Sequence, residues 1–155
     1  MSITRGPLWF EDFAAMAPDD PVVSPARTVT EADVVSFAAW TGDYNPLHTD
    51  AVAAADTRFG ERIAHGVLGV ALWIGLIART GLFEGSAVAL LGIDGWTFRA
   101  PIRFGDTVHA RMTVVGTRLT SSRTTGVVQR HAQLINADGV VVQEGHLDVM
   151  VRVRP

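Results

Sequence analysis

Along residues 106–119, DTVHARMTVVGTRL runs apolar and polar by turns: Val108, Ala110, Met112 and Val114 fall on one side, His109, Arg111 and Thr113 on the other. A period of two is that of a strand with one face packed and one wet. TTGVVQRHAQLI and VVVQEGHLDVMVRVRP read as two more strands, joined through the turn NADG. AVALLGIDGWTF and the short IRF are expected to supply at least one further strand. The first half of the chain carries a different rhythm. In TEADVVSFAAW, Val34, Phe37 and Ala38 share one helical face, Thr30 is placed to cap, and Glu31 and Asp33 stand at the positive helix end. Thr41 and Gly42 end that helix, and Asp50 is placed to cap a second, short one. HGVLGVALWIGLIARTG is apolar all the way round, which predicts a helix buried on every side, with Arg79 in its last turn and Gly81 as its C′ residue. The opening segment, broken by Pro21 and Pro25, reads as extended. Helices come first and strands last. The expected class is therefore α+β, one domain over residues 1–155, with an antiparallel sheet curled around the apolar helix.

Composition narrows the possibilities. Apolar residues make up 48% of the 155 and charged residues 19%, so the chain folds, and its low charge suggests surface covered by a partner. A net charge of −3 gives no electrostatic reason to expect nucleic acid or an anionic membrane. The absence of cysteine excludes disulfides, thiolate metal sites and a Cys nucleophile. MSITRGPLWFEDF lacks a basic segment followed by an apolar one, and the longest apolar run, residues 66–78, is too short to cross a bilayer. A cytoplasmic protein is the expectation.

The candidate chemistry gathers in TGDYNPLHTDA, residues 41–51. Asp43 and His48 lie five residues apart, just past a helix end, on irregular backbone pinned by Pro46. Carboxylate and imidazole are the commonest pair for moving protons near neutral pH. Asp and Asn also start turns, so on spacing alone a purely conformational role stays open. Gly66 stands in the first turn of the apolar helix, where N–H groups lack intrahelical acceptors, and a glycine there lets a substrate oxygen come close. A simple helix-start glycine fits equally. Gly66, Gly69 and Gly75 each cost about 1 kcal/mol relative to Ala in a helix, which implies that something packs close to it. His109, His131 and His146 fall within strands with no carboxylate at a meaningful spacing, and no metal-ligand pattern emerges. Neither a metal nor a cofactor is expected.

GDYNPLHTDAVAA resembles the hydratase-2 motif of the MaoC-like dehydratases, or R-specific enoyl-CoA hydratases, which have the hotdog fold. The motif is G-D-x-N-P-apolar-H followed, after five residues, by a small residue, here Ala54. RIAHGVLGVAL and WTFRAPIRFGDTV agree with two further family segments, so the resemblance covers roughly residues 8–150. It implies syn addition of water across a trans-2-enoyl thioester, or the reverse, with a (3R)-hydroxyacyl product. Carried over by position, Asp43 and His48 would share the water and the protons, Asn45 and His65 would support them, and the Gly66 amide would bind the thioester oxygen. The substrate would be an acyl-CoA or acyl-carrier-protein thioester, and the chain a homodimer joined sheet edge to sheet edge. Relatives can carry Ser eight residues after the Gly; here that residue is Ile74. Two other readings stand beside this one. A hotdog acyl thioesterase would want an acid on the central helix, and residues 66–78 have none. An acyl-binding subunit of a heteromeric dehydratase would have lost Asp or His, and this chain keeps both. Arg58, Arg62, Arg99 and Arg103 are too scattered in sequence to assign to a carrier.

Overall fold

A computed structural model describes residues 6–155, and Met1–Arg5 lie outside it. The three alternating stretches form the long strands β4 (Thr107–Leu119), β5 (Thr125–Asn136) and β6 (Val141–Arg152), and AVALLGIDGWTF forms β3 (Ala87–Phe98). Val108, Ala110, Met112 and Val114 of β4 are all buried, as their period requires. Asn136 shapes the turn between β5 and β6, its side-chain oxygen accepting the N–H groups of Asp138 and Val140. Two short strands that the hydropathy pattern does not announce, β1 (Val22–Val23) and β2 (Arg27–Thr28), both pair with β4. Strand order is β1-β4-β5-β6-β3, antiparallel throughout. The segment IRF makes no strand; Arg103 contributes a single bridge to Ile63. Gly105 follows with a left-handed backbone and Asp106 folds back to accept the Arg103 N–H, so the segment turns before it can extend.

The opening segment is not wholly extended. A one-turn helix, α1 (Phe10–Ala14), buries Phe10 and Phe13, and Phe13 stacks on Phe83 with centroids 4.8 Å apart. The capped helix appears as α2 (Glu31–Thr41), with Gly42 left-handed at its end. The Thr30 N–H donates to the Asp33 carboxylate at 2.8 Å, and Arg27 pairs with the same group. Burial alone would raise the Asp33 pKa; the Thr30 backbone and hydroxyl bonds and the Arg27 charge outweigh it and hold it below the usual carboxylate range. Then follow α3 (Pro46–Thr49) and α4 (Ala51–Ala55), the latter capped by Asp50, which accepts from Val52 and Ala53.

The apolar helix is α5 (Gly66–Ala78), and the sheet wraps one side of it. Leu68, Leu72, Trp73, Leu76 and Ile77 pack against β4, β5 and β6 in one continuous core. It is not buried on every side. Val67, Ala71, Ile74, Gly75 and Ala78 face outward, Ile74 39% exposed, because one curled sheet covers one face of a cylinder. Arg79 caps the helix end. Gly81 is left-handed but lies one position beyond C′, since the Thr80 and Gly81 N–H groups close tighter turns onto Ile77 and Ala78.

The three helical glycines have three different surroundings. A Cβ on Gly66 would fall 2.9 Å from the Phe98 ring, and one on Gly69 only 2.2 Å from the Gln143 amide nitrogen. At Gly75 nothing among the described residues would meet a Cβ inside 4 Å, so close packing accounts for the first two and not for the third.

Candidate active site

Gly42 breaks α2, and the next residues fold around two local bonds. The Asp43 carboxylate accepts the Asn45 N–H at 3.2 Å, and the Asn45 side chain caps α3 by accepting the Leu47 N–H at 3.0 Å. Pro46 takes the first helical position, where its missing N–H costs nothing. His48 therefore sits on a helical turn, not on irregular backbone as the spacing suggested. Asp50 then caps α4, so Asp and Asn here do turn chemistry as well as offering functional groups.

His48 Nδ1 lies 2.7 Å from the carbonyl of Ile63. A carbonyl only accepts, so Nδ1 carries the hydrogen and Nε2 of the neutral ring keeps its lone pair. Ile63 is itself held: it bridges Arg103, and the Ala64 N–H donates to the Ile102 carbonyl at 2.8 Å. The same strap delivers His65. Its ring is 3% exposed, stacks on His48 with centroids 3.8 Å apart, and tilts against Phe37 at 5.0 Å. His65 Nε2 donates to the Asp43 backbone carbonyl at 2.9 Å and lies 4.0 Å from the Asp43 carboxylate. Its Nδ1 is then a buried lone pair with no hydrogen-bond partner among the described residues. The donor atoms of Asp43, His48 and His65 all fall within 4.8 Å of one another, a spacing that would also admit a cation. Asp43 itself stays accessible, its side chain 53% exposed.

Beside the pair opens a cleft of about 260 Å³. Its apolar walls include Leu47, Phe59, Ile63, Phe98 and Ile102, and His48 and Gly66 both line it. So the base-bearing ring and the first turn of α5 face one space. Arg58 and Arg99, forty-one positions apart in the chain, border this same cleft. Arg99 is paired with Glu144, Arg103 with Glu61 and Arg62 with Glu31; Arg58 lies over the Phe59 ring.

The structure brings together Asp43, Asn45, His48, His65 and Gly66. It leaves Ile74 on the outward face of α5. His109, His131 and His146 lie on strands away from the cleft, but His131 does have a carboxylate neighbour, Glu144, at 3.3 Å. Pairing of β5 with β6 brings that contact about, which linear spacing hides. Gln143, buried and lining the cleft, escaped the sequence reading. The signal was present: it shares the inward parity of Leu147, Val149 and Val151, and a polar residue on that face needs a reason.

The MaoC like domain model matches residues 12–136. The chain belongs to the MaoC-like family. Among MaoC-like relatives, the (R)-specific enoyl-CoA hydratase of Rhodospirillum rubrum is 35% identical over 150 residues, covering 94% of this chain and 93% of that protein. Protein MaoC of Klebsiella aerogenes is 38% identical over 101 residues, 65% of this chain, and this match spans only 30% of that longer protein. The monoamine oxidase regulatory protein of Archaeoglobus superposes with a TM-score of 0.87 at 31% identity, over 99% of this MaoC-like chain and 100% of that one. The fold is the hotdog architecture that the resemblance implied. No helix among the described residues is long and apolar enough to cross a membrane.

Proposed function

We propose that this chain is a lyase that adds water across the trans-2-enoyl double bond of an acyl thioester, or removes it, giving the (3R)-3-hydroxyacyl thioester. One observation carries the reading: the Asp43 carboxylate lies beside the Nδ1-anchored His48, and His48 and the glycine-started α5 face one cleft. Water held between Asp43 and His48 Nε2 gives a proton to that pair as its oxygen bonds to C3. The π electrons shift toward the thioester, and charge gathers on its oxygen. The Gly66 N–H, at the positive end of α5, meets that charge, and C2 then takes a proton on the same face. One water enters, one C–O and one C–H bond form, and the site returns to its starting protonation. A preorganised donor at such an oxygen is typically worth about 2.7–4 kcal/mol. Asn45 holds the pair's local geometry, and His65 backs it from the buried side. Thioesterase chemistry is disfavoured because α5 carries no acidic residue to activate water at the carbonyl. The assignment extends to one domain in the cytoplasm that needs no metal or cofactor.

The test is ultraviolet loss of the enoyl thioester band with crotonyl-CoA, a longer trans-2-enoyl-CoA and the corresponding carrier-protein esters. Turnover to a (3R) product is expected; hydrolysis to free CoA without hydration would sink the reading.

The homodimer belongs to the same proposal. Among the described residues β3 pairs with β6 alone, leaving its other edge open, and its Val88, Leu90, Leu91 and Ile93 are all exposed. An apolar open edge is a surface that a second copy can cover by continuing the sheet. Sedimentation at micromolar concentration is expected to give twice 16.6 kDa. Leu91→Lys with Ile93→Lys is expected to shift the protein to monomer. A wild-type monomer under those conditions excludes the assembly.

A further inference from the structure

We propose that Gln143 is a positioning residue for the thioester oxygen: its carboxamide, clamped between Trp96 of β3 and the Gly66 carbonyl, fixes the first turn of α5. This rests on the hydratase reading above and names a group outside the Asp43–His48 pair.

The clamp is built on both sides. Gln143 is 2% exposed, on the inward face of β6 among valines and leucines. A carboxamide there is costly unless both ends are bonded. Both are. Trp96 Nε1 donates to Gln143 Oε1 at 3.1 Å, and Gln143 Nε2 donates to the Gly66 carbonyl at 3.0 Å. An indole N–H can only donate and a peptide carbonyl can only accept, so the reversed amide would meet repulsion at both ends. The orientation is thus dictated by its partners. Gly69 completes the site, for any Cβ there would occupy the space of the Gln143 amide nitrogen.

A helix start is the place where such a clamp has a consequence. The Gly66 and Val67 N–H groups have no intrahelical acceptor, and two glycines in four residues leave that turn with little side-chain packing of its own. Gln143 ties it to the sheet. Bonding the Gly66 carbonyl also polarises the peptide unit it shares with the Val67 N–H, strengthening that donor. Gln143 lines the same cleft as His48 but makes no hydrogen bond to either member of the acid–base pair.

Two variants break the clamp from opposite sides. Gln143→Met keeps length and loses both bonds. Gly69→Ala leaves Gln143 in the sequence, and its methyl pushes the flexible amide off Gly66 while improving helix propensity. Both are expected to lower kcat for crotonyl-CoA by about ten- to a hundredfold, the scale of a misplaced donor, with KM changed less. The pH profile should keep its wild-type midpoints, because Asp43 and His48 are untouched. In an Asp43→Asn background, where turnover is slowed, the carbonyl stretch of bound crotonyl-CoA should lie lower than in water. That displacement should shrink when either clamp mutation is added. Should Gln143→Met fail to fold, Gly69→Ala carries the same test alone. A folded Gly69→Ala or Gln143→Met with wild-type kcat and an unchanged carbonyl stretch overturns the proposal. Failure of the hydratase reading looks different: the wild type itself would not hydrate, whereas the carbonyl stretch still reports whether the clamp orients a bound thioester.

Discussion

Asp43→Asn and His48→Ala will each lower the hydration rate by about 10²–10⁴-fold, the range that one acid–base group supplies. Neither change should unfold the protein. Asp43 is accessible, and an Asn in its place can still accept the Asn45 N–H. The His48 ring is anchored by one bond to Ile63, so its removal leaves the strap to Ile102 intact. The two groups would handle a single water, so combining the substitutions should cost little more than the worse of them, as for residues that act as a unit. Initial rates with crotonyl-CoA, beside far-ultraviolet circular dichroism, measure this directly. If both variants keep their fold and stay within tenfold of wild type, residues 41–51 serve only as a turn.

Trp73→Ala is expected to have the largest effect on stability, about 3–5 kcal/mol. Trp73 is fully buried between α5 and the sheet, and its indole N–H donates to the Arg111 carbonyl at 3.2 Å. Arg130 gives the position a second role. Its guanidinium lies 5.3 Å from the Trp73 ring and 5.2 Å from that of Phe83, and its Nε donates to the Leu147 carbonyl. Burial lowers its pKa to about 10, with the Asp148 charge opposing that shift, so the group stays cationic at neutral pH. Truncating Trp73 removes ring area and also the π-face over which this buried charge is held. At about 2–4 °C per kcal/mol for a chain of this size, Tm should fall by roughly 6–20 °C. Val52→Ala, on the exposed side of α4, is the control and should barely move it. Urea titration of both variants decides the matter, and a Trp73→Ala midpoint equal to that of Val52→Ala would refute the argument.

What could be read beforehand followed from whether the physical signal was local. The strand from Thr107 to Leu119 declared itself through strict alternation, and α2 through its Thr30 cap, because neighbours in sequence settle both. The pair Asp43 and His48 was legible because α3 and its cap compress five residues into one site. Contacts made by pairing were not legible. His131 meets Glu144, and Arg58 shares a cleft with Arg99, only once the strands have a register and the strap from Ile63 to His65 is laid against Ile102. The short helix α1 was missed because a single turn leaves too little periodicity, although Phe10 and Phe13 anchor it in the core. The apolar circumference of α5 was read correctly as a demand for cover, but the chain meets that demand on one face only.

Order of synthesis gives the sheet's connectivity a further meaning. β3 is the first long strand to leave the ribosome, yet among the described residues it has no strand neighbour until β6 follows, beyond residues 99–140. Its partner-in-waiting, α5, emerges earlier still, with an apolar circumference and no sheet yet to lie on. A growing chain stopped before Val141 therefore holds α5 against β4 and β5 but leaves β3 a strand without a ladder. β6 completes the ladder to β3, carries Gln143 to the helix start, and closes the core in a single event. The ladder of β3 is thus the last part of the sheet that synthesis allows, and protection of that strand falls to whatever binds apolar surface until β6 arrives.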